Sequence, residues 1–202
     1  MKQVILGVLS CVLFFATSMS LAEDINAIFK RVNEFVEKKN YAKAMEELDW
    51  AKKEIEKMHV TRVQEFFPDT LGGMKGEKFD SNSMLGFNNV ERDYIEGKKK
   101  VSVSLTGGTG QGAAAALGGL AQLGRMAAMF GGGQPGTETL RIHDRTAIVE
   151  STGNNVASVT IMLDSGAILK LESSDGIKAD QLKNMAEGIK IEELDSYLKG
   201  VK

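Results

Sequence analysis

The chain has 202 residues, 25 Lys and Arg against 27 Asp and Glu, a net charge of −2 and a single cysteine, Cys11. A mildly acidic balance excludes the basic footprint that a nucleic acid or an anionic membrane surface requires. One cysteine excludes an intrachain disulfide. A domain of this size therefore has to hold itself together by its core, burying roughly 70% of its unfolded surface.

In chain order the first element is a leader. Met1-Lys2 precedes an apolar run over residues 4–15, then Ala-Thr-Ser-Met-Ser-Leu-Ala ending at Ala22, then the acidic start Glu23-Asp24. A short positive start, an apolar stretch and small residues at Ser20 and Ala22 read as a signal peptide over residues 1–22. Thr17, Ser18 and Ser20 weaken the second half as a permanent anchor, so cleavage is expected over retention. Cys11, in Val8-Leu9-Ser10-Cys11, superficially resembles a lipoprotein site, but the apolar run continues past it. Cleavage after Ala22 removes Lys2 and Cys11, which leaves 180 residues with 24 basic and 27 acidic side chains and no thiol. The expected location is the periplasm or the medium.

Residues 23–67 read as a helical hairpin. Ile25, Ile28, Phe29, Val32, Phe35 and Val36 recur at i, i+3, i+4, i+7, one face of a helix. Lys38-Lys39-Asn40 breaks it. A second helix is expected to turn Tyr41, Ala44, Met45, Leu48, Ile55 and Met58 inward and its Lys and Glu residues to water. Thr61-Arg62-Val63-Gln64 reads as a capping box opening a short extra helix before Pro68. Residues 68–83, rich in Gly, Asp and Ser, read as a linker.

From residue 84 onward strands dominate. Residues 90–95 and 101–105 flank the turn Glu96-Gly97-Lys98-Lys99, and the strict alternation Val-Ser-Val-Ser-Leu predicts one buried and one wet face. Residues 140–143 and 147–151 are joined at Asp144-Arg145, and 156–163 and 168–172 at Asp164-Ser165-Gly166, a hairpin signal. An amphipathic helix through Leu182, Met185, Ala186 and Ile189 follows, then a short turn with Leu194, Tyr197 and Leu198. Hairpins plus a covering helix predict an α+β fold with an antiparallel sheet over residues 84–202.

Between these strand pairs lies the glycine-bounded segment 107–136. Its middle, residues 113–130, is nearly all Ala, Gly, Leu and Met. Two readings apply: a helix packed across the sheet, or an exposed surface for a partner or an apolar ligand. The candidate interaction residues are Leu117, Leu120, Leu123, Met126, Met129 and Phe130. Gly108, Gly110 and Ala113 satisfy G-x-G-x-x-[GA], but the preceding strand alternates with serine. No acid follows at the ribose-binding distance either, so dinucleotide binding is not expected. His59 and His143 lack ligand-spaced partners, and no nucleophile–base arrangement carries an elbow or oxyanion-hole loop. His143 is expected in a solvated turn. The reading is a non-enzymatic chain with no cofactor and no metal. Its partner would be an envelope protein or, alternatively, a small apolar ligand or lipid, with no transmembrane segment after cleavage.

Two resemblances bear on this. Tyr41, Ala44, Leu48 and Ala51 match the spacing of the second helix of a tetratricopeptide repeat, in one copy. Residues 101–105, 117–130, 142–149, 158–171 and 181–189 follow an order similar to that of a group of small secreted bacterial proteins and of the PsbP-like α/β sandwich. The second resemblance implies a sandwich-type α+β fold and a binding or accessory role, with no catalytic residues to carry over.

Overall fold

The computed structural model describes residues 24–84, 87–107, 136–152, 156–174 and 176–201. The chain divides into two compact units, Met1–Ile55 and Glu56–Lys202. The described part is α+β: helices first, then an antiparallel sheet, then helices.

In the first unit α1 spans Ile25–Glu37. The Asp24 carboxylate accepts the Asn26 amide at 3.0 Å and so satisfies one of the helix's free donors. The expected break is there: Lys39 takes a left-handed φ of 56°, and the amides of Lys39 and Asn40 return to the carbonyls of Val36 and Phe35. The chain then enters α2, Tyr41–Gln64, which runs past the unit boundary. Ile28 and Val32 of α1 and Ala44 and Ala51 of α2 are buried. Arg31 Nη2 lies 2.8 Å from Glu47 Oε2, and Lys43 Nζ lies 5.7 Å from the centre of the Phe35 ring, which sets the register of the two helices.

The extra helix expected after Thr61 does not exist as a separate element. No breaker lies between Met58 and Thr61, so α2 continues, and Thr61 Oγ1 donates back to the Lys57 carbonyl at 3.0 Å as a helix-interior threonine.

The described part of the second unit holds eight strands: β1 Thr70–Leu71, β2 Met74–Met84, β3 Phe87–Glu96, β4 Lys99–Thr106, β5 Thr137–Ile142, β6 Arg145–Thr152, β7 Val156–Met162 and β8 Ile168–Ser173. Their order is β1-β2-β3-β4-β8-β7-β6-β5, antiparallel throughout. Two meanders therefore meet at β4–β8, where Val103 faces Leu171 and Leu105 faces Leu169. The linker expected over 68–83 is instead β1 and most of β2. Its apolar residues are sparse because β2 lies near the sheet edge and its register shifts between Gly76 and Phe79, which breaks the period-two pattern.

One sheet face carries Val90, Tyr94, Val101, Val103, Leu105, Val149, Val159, Ile161, Leu169 and Leu171, all buried. It packs into one core with helices α3, Ala179–Ala186, and α4, Ile191–Leu198, through Leu182, Met185, Ile191 and Leu194. Val63, Phe66 and Phe67 join the same core. The end of the expected 23–67 hairpin thus belongs to the sheet's unit. The expected closing turn is the helix α4. The expected Gly/Ala-rich helix lies outside the described residues.

Candidate interaction surface

Three polar clusters in the second unit have the chemistry from which sites are built. The first centres on Asp195 of α4, 0% exposed. Its Oδ2 accepts Arg145 Nε at 3.0 Å and Nη2 at 2.8 Å, and the Asp164 amide at 3.2 Å. Its Oδ1 accepts the Ser165 amide at 2.8 Å. Burial pushes this carboxyl up, but the Ser165 amide and the Arg145 guanidinium outweigh it and hold the group below the usual carboxylate range. Arg145 also donates to the His143 carbonyl at 2.9 Å. The arrangement pins the β5–β6 and β7–β8 turns to α4.

The second centres on Arg92 of β3, which donates to the carbonyls of Glu77, Phe67 and Pro68 and to Asp69 Oδ1. Its guanidinium lies 4.5 Å from the centre of the Phe79 ring. Tyr94 Oη donates to the Pro68 carbonyl at 2.8 Å, and burial pushes its pKa up to about 12. These two side chains anchor the corner between α2 and β1.

In the third, His59 Nδ1 is 2.9 Å from Tyr197 Oη and the rings stack at 5.5 Å. Burial lowers the His59 pKa and raises that of Tyr197. Both groups are neutral near pH 7, a seam between α2 and α4. His143, expected in a solvated turn, has Nε2 3.2 Å from Glu187 Oε2 and Nδ1 3.8 Å from Glu192 Oε1. No described side chain has a buried polar atom lacking a hydrogen-bond partner, so each cluster is satisfied within the fold.

The first unit is different. The sequence predicts Tyr41, Met45, Leu48 and Ile55 facing inward, yet Tyr41 is 60% exposed, Met45 64%, Leu48 46% and Ile55 48%; Met58, also expected inward and just past the unit boundary, is 60% exposed. On α1, Phe29 and Val36 are 42% and 47% exposed. Among the described residues of this unit the buried apolar ones are Ile28, Val32, Ala44 and Ala51, with Ile25 and Phe35 half-buried. The reason lies in the helical angles. Ala44 and Ala51 share one edge of the α2 stripe and meet α1; Tyr41, Met45 and Leu48 lie farther round. On α1, Phe29 and Val36 are rotated away from Ile28 in the sense that brings them onto the same side of the hairpin. One apolar face therefore spans both helices. Lone exposed apolar residues are ordinary; Phe29, Val36, Tyr41, Met45 and Leu48 instead stand together on one face.

The candidate residues Leu117, Leu120, Leu123, Met126, Met129 and Phe130 lie outside the described residues. Among the described residues no three His, Cys, Asp or Glu side chains are grouped to hold a metal ion, and no helix is long and apolar enough to cross a membrane. The chain matches no protein-family profile, no curated protein and no solved structure.

Proposed function

We propose that this is an exported, non-enzymatic accessory protein of the bacterial envelope that works through protein–protein contacts made by its N-terminal hairpin. The observation that carries the reading is the apolar face of Phe29, Val36, Tyr41, Met45 and Leu48, left open to solvent beside a seam in which α2 contributes the small residues Ala44 and Ala51. The leader pattern over residues 1–22 supports export. The likeness of Tyr41, Ala44, Leu48 and Ala51 to one tetratricopeptide repeat supports the contact role, because a single such unit cannot bury its apolar face alone.

The test places a photo-crosslinking residue at Met45, or at Lys98 in the β3–β4 turn as control, in the full chain expressed with its leader. The expected result is protein adducts from Met45 and none from Lys98, with the mature mass starting at Glu23. Lipid adducts only, or equal labelling at both positions, overturn the contact reading. An unprocessed chain retained in the cytosol overturns export.

A further inference from the structure

Resting on the reading that the hairpin face is a contact surface, we infer that its occupant is the same face of a second copy of this chain, the two hairpins closing into an antiparallel four-helix bundle.

Three observations carry it. The first is register. Arg31 against Glu47 and Lys43 against Phe35 place the midpoint of Phe29 and Val36 on α1 level with residues 45–46 on α2. The midpoint of Met45 and Leu48 falls at that level to within about one residue, roughly 1.5 Å of helix rise. A single twofold axis crossing both helices there sets Phe29 against Val36 of the second copy and Met45 against Leu48 of the second copy. These four side chains at the centre of the face each meet an apolar one across the axis, while Tyr41 lies toward its end.

The second is charge. Lys30 and Glu37 lie on the outer flank of the Phe29–Val36 stripe, away from α2, and neither has an ion partner among the described residues. The same axis brings Lys30 beside Glu37 of the second copy, offset by about 3 Å along the helix, and Glu37 beside Lys30 of the second copy. The pattern is self-complementary. Residues 24–55 carry seven acidic and seven basic side chains, so two copies meet without net repulsion. A membrane-surface helix needs a Lys- and Arg-rich polar face instead.

The third is size. The described part of this unit has four buried apolar residues, two of them alanines. Once the expected leader is cleaved the unit falls to residues 23–55, and units below about 40 residues without disulfide or metal usually need association to complete a core. Bundle packing of two antiparallel hairpins supplies that.

Sedimentation equilibrium of the full mature chain is the test. The expected result is a reversible dimer. Lys30→Glu and Glu37→Lys, each alone, place like charges together at two symmetric positions and weaken association about tenfold. Combined in one chain they restore the opposite-charge pairing and recover association. Leu48→Glu abolishes the dimer while the circular dichroism of the sheet unit persists. A monomer at every concentration overturns the inference. So does a dimer indifferent to the three charge variants, which would use another surface, or a double variant no better than the singles. If the chain is monomeric but Met45 crosslinks to a different protein, this inference fails and the contact reading stands. If Met45 forms no protein adduct at all, both fail.

Discussion

Asp195 is held by one guanidinium and two backbone amides that come from turns 30 and 50 residues away. A buried carboxylate is costly unless every lone pair is used, and here the partners are in place. Replacing Asp195 by Asn leaves Arg145 facing a neutral amide with its own donors turned toward two N–H groups. Breaking one side of such a pair costs about 3–5 kcal/mol, readable as a shifted urea midpoint. The pH dependence follows from the direction of the shift. The folded pKa lies below the unfolded value of about 4, so the unfolded chain binds the extra proton in that window. The contribution is complete above pH 4 and fades as pH falls through the folded pKa. A stability–pH profile of Asp195→Asn is therefore flatter below pH 4 than that of the parent; an unchanged slope would refute the latch. None of this was readable beforehand. Asp195 sits one residue after Leu194 in a short amphipathic stretch, and nothing local distinguishes it from Glu192 or Glu193, which stay exposed. Its partners are set by sheet topology, not by spacing.

Elements were legible where local chemistry and tertiary context agree. The Val-Ser-Val-Ser-Leu alternation of β4 is buried at every second residue as its pattern demands. The β5–β6 reversal was also legible, and its geometry is sharper than its sequence: His143 and Asp144 both adopt positive φ, 47° and 59°, the two-residue primed turn that matches strand twist. Left-handed backbone strains a non-glycine residue, so Asp144→Gly should relieve strain and raise stability by up to about 1 kcal/mol, offset in part by unfolded-state entropy. Thermal unfolding of that variant checks it; a lowered midpoint would mean the Asp144 side chain contributes more than its backbone costs. β2 was missed because Gly76, Glu77 and Lys78 interrupt the alternation at the register shift. The hairpin face was half legible. Periodicity locates an apolar stripe on each helix, but it cannot say how much of the stripe the partner helix covers. Small residues at Ala44 and Ala51 bring α1 to one edge and leave the large side chains outside.

At the scale of the whole molecule the two units differ in how they can resist opening. The described part of the sheet unit joins 27 buried residues into one hydrophobic cluster, from Val63 to Leu194, whereas the described part of the first unit buries four apolar residues. Local opening free energies follow such differences. If the hairpin completes its core only against a second copy, its protection is linked to association, and mass action makes it depend on concentration. Hydrogen exchange then separates two populations of amides. Those of β4 and β8, at the centre of the sheet, should exchange at a rate independent of protein concentration. Those of α1 from Phe29 to Glu37 should slow as the chain is concentrated. In Leu48→Glu the α1 amides should exchange fast at every concentration while β4 and β8 stay protected, because the variant removes the partner and leaves the sheet core untouched. Protection of α1 equal to that of the sheet in both proteins would show a hairpin stable by itself, and its apolar face would then need an explanation other than a missing half of its core.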